Sequence, residues 1–210
     1  MTVLHIVAVT RNRSISATTL HTMMNMHVLC MQRGIHIEIH FVDDKSSLPR
    51  IIKTGERIFW MDYGTNLNTE ELHRAISPFD KGIQIMVFPS VKEGIHWDQF
   101  SKKTKNQTSE PVGQRGLEFD TEVGKKIDDG VYECVKTSAR VWAMDAKPVD
   151  KKLRGGKVPV KLPTGDDEMF ECLKNLGIKI GVATKAVVVC HYVHECFGNI
   201  LEASGVQLAA

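Results

Sequence analysis

Polar residues able to do chemistry gather where the apolar runs of this sequence stop. Thr10, Arg11, Asn12 and Arg13 follow the run 3–9, Asp43 and Asp44 follow 35–42, Asp62 follows Ile58-Phe59-Trp60-Met61, and His191 follows 186–190. Asp166 and Asp167 open a helical stretch after Thr164-Gly165. An acid set just past the end of a buried strand lies where open α/β sheets hold ligands. The two guanidinium groups suit contacts with phosphate or a nucleobase. Taken singly, each residue has a plainer reading. Asp62 can be a turn residue, Asp166 and Asp167 helix-dipole partners, Arg11 and Arg13 exposed charge, and His191 a structural histidine.

The elements that must position these residues are written as periodicities. Residues 3–9 read as a strand. Leu20, Met23, Met24, Val28 and Met31 fall at helical spacing and are expected in the core, with Ser14 or Ser16 as cap and Gly34 in the left-handed position after the end. Ile35, Ile37, Ile39 and Phe41 alternate with His36, Glu38 and His40, which predicts a strand with one buried face. Strand, helix and strand in this order begin a βαβ unit and a largely parallel sheet.

A short helix is expected over 47–53, then a strand buried on both faces over 57–61. Asn68 with Glu71 three residues on predicts a capping box for a helix that ends at Ile76. A strand follows over 83–88. Periodicity is then lost to about residue 126, where a functional lid or a disordered excursion is expected. Further on come a strand over 139–146, a turn or short helix over 147–152, a helix over 168–176, and strands over 178–182 and 186–190. Val193, Cys196, Phe197, Ile200 and Leu201 predict a closing amphipathic helix.

Composition narrows the class. At 210 residues, with 42% hydrophobic and 25% charged, the chain is of ordinary globular make-up and long enough for one large domain without disulfide staples. No apolar run approaches the roughly 20 residues that span a bilayer, and the N-terminus opens on a strand rather than a signal peptide. Five scattered cysteines without a C-x-x-C pair fit a reducing compartment, so a cytoplasmic protein is expected. A net charge of +2 does not call for a nucleic-acid partner.

The ordered set of strand-Asp44, strand-Asp62, acidic helix start and strand-His191 resembles the nucleotide-sugar-dependent glycosyltransferases of the GT-A fold, family 2-like, over residues 3–195. The motifs that carry the resemblance are residues 3–13, Phe41-Val42-Asp43-Asp44, residues 57–64, residues 139–149, and Gly165-Asp166-Asp167-Glu168-Met169-Phe170 ahead of Leu176-Gly177-Ile178-Lys179-Ile180. The resemblance implies a single-domain α/β GT-A (Rossmann-like) fold, with a central, mostly parallel mixed sheet flanked by helices. Residues 1–90 would be its nucleotide-sugar-binding half and 91–210 its acceptor-side half.

It further implies transfer of a sugar from a nucleotide diphosphate-sugar, a UDP-sugar by family frequency, to a glycan or other hydroxyl acceptor. Thr10, Arg11, Asn12, Arg13, Asp44 and Asp62 would meet the nucleotide. Asp62 and His191 would hold Mn²⁺ or Mg²⁺, and Asp167 or Asp166 would be the acceptor-activating base, with the alignment of Phe170 favouring Asp167. The sequence departs from the family at Asp62-Tyr63-Gly64, where the second acid of Asp-x-Asp is replaced by glycine. Such a site would rest on few carboxylates together with the substrate's phosphates, which Mg²⁺ tolerates.

Three other readings compete. A binding-only descendant of the same fold is consistent with Gly64. A sugar-nucleotide nucleotidyltransferase shares sheet and metal, but is expected to carry a Gly-rich phosphate loop, and residues 10–16 contain no glycine. His191 and Glu195 could share a helix face around a metal, but the order His-x-x-His-Glu is not that of zinc proteases.

Overall fold

The computed structural model describes residues 3–92, 94–106, 109–110, 112–156 and 159–190, so the expectations for His191, His194, Glu195 and a closing helix lie outside the described residues. The chain divides into two compact units, one of residues 3–90 with 119–190 and one whose described part falls within 91–118.

The first unit begins with β1 (Val3–Val9), α1 (Ala17–Gln32), β2 (His36–Val42), a 3-10 turn (Lys45–Ser47), α2 (Leu48–Thr54), β3 (Arg57–Met61), β4 (Thr65–Leu67), α3 (Thr69–Ile76) and β5 (Ile85–Phe88). The second unit contributes α4 (Trp97–Lys105). The first unit resumes with β6 (Thr121–Asp128), β7 (Val131–Thr137), β8 (Val141–Asp145), α5 (Ala146–Arg154), α6 (Asp166–Asn175), β9 (Ile180–Ala183) and β10 (Val188–Cys190). Among the described residues one eight-stranded sheet has the order β2-β1-β3-β8-β5-β9-β7-β6, and β10 pairs with β4 in a small second sheet.

The chain is an α/β protein with a large mixed sheet between helical layers. Alternation along β1 sends Leu4, Ile6 and Ala8 to the face covered by α1 and α3, and Val7 to the face covered by α2, α5 and α6. Because β1 pairs in parallel with both β2 and β3, Val9, Val42 and Met61 end at one edge, and the turns that follow them are neighbours. All five residues of β3 are buried, as expected of a central strand covered on both sides. Next to it β8 runs antiparallel, with Trp60 opposite Trp142 and the two indoles stacked at 5.4 Å. Phe170 of α6 meets Trp142 edge-on at 6.1 Å, so the helix bearing the acidic pair is anchored to the central strands by aromatic packing.

Several expectations are corrected. Leu20, Met24, Val28 and Met31 are 41–68% exposed, and the buried face of α1 is Thr19, Thr22, Met23, Met26, Leu29 and Cys30. The threonines turn inward because their hydroxyls have work there: Thr19 accepts from Gly64 N, and Thr22 bonds Asn66 and Leu67 N. Ile39 and Phe41 are 43% and 58% exposed, because β2 is the edge strand. Asn68 starts α3 without a capping bond from its side chain, which instead accepts from Val187 N and so holds β10, while Glu71 pairs with Arg74.

The aperiodic stretch contains α4, whose Trp97 and Phe100 pack edge-to-face, and the start of β6. Register shifts between β6 and β7 break the two-residue period by which that hairpin would have been read.

Candidate active site at the carboxyl edge of the sheet

The turn after β1 is built around two left-handed residues. Arg11 N and Ser14 N each bond the other's carbonyl, and the central pair, Asn12 and Arg13, has φ of 52° and 59°. Asparagine tolerates this conformation, but an arginine there costs about 1–2 kcal/mol. Backbone strain of this kind clusters at ligand-binding turns. Thr10 ties the turn to the neighbouring strand, with its hydroxyl donating to Asp43 Oδ1 at 2.8 Å and its backbone N to Val42 O. Thr10, Arg13, Ser14, Ile15, Phe41 and Asp43 line a cleft of about 430 Å³.

Asp44 caps the 3-10 turn by accepting from Ser46 N at 2.8 Å. Hydrogen bonds from the side chain and backbone of Ser46 hold its carboxyl below the usual value, and it faces solvent as an anion.

Asp62 is fixed from both sides. Its Oδ1 accepts from the Trp60 indole at 2.8 Å, and its Oδ2 lies 3.8 Å from Arg140 Nε. Its backbone N donates to Arg140 O, and its carbonyl accepts from Thr65. Gly64, with φ of 76°, completes this turn and donates its N–H to Thr19 on α1. Position 64 is thus a buried left-handed turn in which an aspartate would be strained. Tyr63, between them, lies under Arg11 at 5.4 Å and accepts from Arg140 Nη2 at 2.8 Å.

Two buried cations complete the cluster, Lys45 and Arg140, only 8% and 7% exposed. Lys45 pairs with Asp166 and lies 5.6 Å over the Trp60 ring. Burial pushes its ammonium below the ordinary value, and the Asp62 charge opposes that shift. Asp166 is thus engaged by an ammonium. Asp167 is about half exposed, 3.5 Å from Lys136, and lines a cavity of about 340 Å³ with Thr137, Phe170 and Glu171. Gly165 is the N-cap of α6 and no side chain caps it, so neither acid is spent on capping.

The edge therefore brings Thr10–Arg13, Asp43, Asp44, Asp62 and Asp166 into one neighbourhood, linked through Arg11–Tyr63 and Lys45–Asp166. Sequence reasoning missed Lys45 and Arg140. The available signal was position: one directly follows Asp44, and the other directly precedes the buried strand β8.

No known protein family and no curated protein matches this sequence. Solved structures do resemble it. A197 from STIV matches with a TM-score of 0.52 and 9% identity, over 91% of this chain and 86% of that one. GalNAc-T7 with UDP, GalNAc and Mn2+ matches with a TM-score of 0.50 and 11% identity, over 92% of this chain and 44% of that one. This chain thus spans less than half the length of GalNAc-T7. At such identities the likeness shows a shared fold, in agreement with the sheet described above.

Proposed function

We propose that this protein transfers a sugar from a nucleotide diphosphate-sugar, preferentially a UDP-sugar, to a hydroxyl acceptor such as a glycan. One observation carries the reading: acids, arginines and a buried ammonium from five separate segments converge on the carboxyl edge of a GT-A-like sheet, where such folds bind nucleotides.

In this reading Thr10, Asn12 and Asp44 meet base and ribose, and Arg11 and Arg13 meet phosphate. Asp167 is the general base. The acceptor hydroxyl gives its proton to the Asp167 carboxylate as its oxygen bonds the anomeric carbon, and the bond from that carbon to the diphosphate breaks. Arg11, Arg13 and the field of Lys45 and Arg140 stabilise the charge that gathers on the departing diphosphate. Asp166, neutralised by Lys45, orients the start of α6.

The residues fit a divalent cation that arrives with its substrate. Asp62 Oδ2 lies beyond hydrogen-bond range of Arg140, so one carboxylate oxygen is available to Mn²⁺ or Mg²⁺. Lys45 and Arg140 balance Asp62 and Asp166 in formal charge, so the cluster attracts a dication chiefly through the diphosphate. When bound, the cation acts as a Lewis acid on the leaving group. Titration with UDP, GDP and CTP, with and without Mn²⁺, tests the reading. UDP binding strengthened by Mn²⁺ is expected, and no binding of any nucleotide would overturn it. Release of pyrophosphate from a nucleoside triphosphate and a sugar phosphate would replace it with nucleotidyl transfer.

A further inference from the structure

A second cluster of ionisable side chains stands on the same strands, away from the carboxyl edge. His5 of β1 is in register with Glu38 of β2, and His40 follows two residues on, so the three side chains share one face of the sheet. His5 is also in register with Ile58, four residues before Asp62, which sets the two clusters about 13 Å apart along the strands. His5 Nδ1 lies 2.9 Å from His40 Nε2 and 3.4 Å from Glu38 Oε2, and His40 Nε2 lies 3.9 Å from Glu38 Oε2.

We propose that His5, Glu38 and His40 form a binding site for a zinc-class divalent cation, with two imidazole nitrogens and one carboxylate oxygen as ligands and water in the fourth position. A point equidistant from the three ligand atoms lies about 2.0 Å from each, the length of Zn–N and Zn–O bonds. The imidazole centroids are 5.2 Å apart with an interplanar angle of 20°, so the rings meet edge to edge and one proton bridges their nitrogens. Zinc binding replaces that hydrogen bond: the nitrogens open by about 0.4 Å, to the separation of two ligands in a tetrahedron, and the imidazoles turn so that their lone pairs point at the ion rather than at each other.

Two features prepare the site. His5 is 3% exposed, and burial, the largest influence on it, lowers its pKa and favours the neutral imidazole that binds metals. Behind the ring, a methyl group at Gly55 would come within 3.1 Å of His5 Cδ2 and 2.8 Å of Ile51 O, so glycine leaves the imidazole its room and Nδ1 faces the other ligands. Glu38 and His40 are partly open to solvent, which gives the ion an entry path. Two imidazoles with one carboxylate select zinc, nickel or copper over magnesium and calcium. The ion would add a side-chain link between the edge strand β2 and β1 to the backbone ladder.

The test is titration of the full chain with Zn²⁺ against a chromophoric chelator, with thermal unfolding as a second readout. One equivalent is expected to bind and to raise the unfolding temperature, and Mg²⁺ is expected to leave that temperature unchanged. Glu38→Gln and His40→Ala, both at accessible positions, should each weaken Zn²⁺ binding more than about a hundredfold, beyond the 10–100-fold typical of a mere supporting residue. Co²⁺ in the same site should show the intense visible bands of four-coordination, lost in His40→Ala. Absence of stoichiometric Zn²⁺ binding, or undiminished binding in the double variant, would overturn the proposal. Neither result bears on nucleotide binding at the carboxyl edge.

Discussion

The carboxyl-edge cluster and the His5–Glu38–His40 cluster both draw on β1 and β2, yet they set opposite electrostatic problems. The first opposes Lys45 and Arg140 to Asp62 and Asp166 and carries no net formal charge. The second has one carboxylate beside two imidazoles, which are neutral when they bind metal. A cation is therefore expected to need the diphosphate at the first and to bind unaided at the second. Whether a cation is a substrate's companion or a resident is decided by the charges next to the ligand atoms, not by the number of acids.

The contrast can be broken at several points. The largest effect is expected from Asp167→Asn, which should lower sugar transfer by about 10²- to 10⁴-fold as a lost general base. Asp166→Asn should cost much less, because that acid is engaged by Lys45. Equal losses in single-turnover assays would show that the two acids act as a unit. Next is Trp60→Ala, which removes the indole stacked on Trp142 and the hydrogen bond that holds Asp62. Urea unfolding should register a loss of about 3–5 kcal/mol.

Arg13→Gly should relieve the left-handed strain and, under the proposed function, remove a phosphate contact. UDP affinity falls by roughly tenfold or more if that charge-assisted contact exists, and stability holds or rises. A lower stability with unchanged affinity would make Arg13 a structural residue. Gly64→Asp, which places a second carboxylate beside Asp62, should cost about 1–2 kcal/mol at its positive φ. Stronger Mn²⁺ binding without that cost would show that the glycine marks a degraded metal site.

The smallest effect concerns pH. His5 is held below its ordinary value of 6.5, so protonation favours the unfolded chain. Its contribution is fully present above pH 6.5 and is lost as pH falls through the lower native value. Stability measured from pH 7.5 down to 5 should therefore fall less in His5→Gln than in the wild type, and a parallel decline would assign the loss to other groups.

Much of the fold was legible because the central strands are written in unbroken apolar runs and the first helix carries its own cap, Ser16. What failed did so for identifiable reasons. The inward face of α1 carries threonines that satisfy β4 and its turn, so hydrophobicity chose the wrong stripe. The alternation in β2 was real, but an edge strand has too little covering it to bury Ile39 and Phe41. Of the candidate site, the acids could be read from strand ends. Lys45 and Arg140 could not, because a buried cation is recognised by its partners in space. The His5–Glu38–His40 group was hidden similarly, with one member inside an apolar strand and two on what read as the polar side of another.

The proposed function turns on nucleotide and cation binding together at Asp62. Mn²⁺ titration of the His40→Ala protein, in which the histidine cluster is silenced, measures this directly when it is performed with and without saturating UDP. Mn²⁺ alone should show no saturable binding, one equivalent should bind in the presence of UDP, and Asp62→Asn should lose that equivalent. Mn²⁺ binding that is the same with and without UDP, or that survives Asp62→Asn, would contradict it.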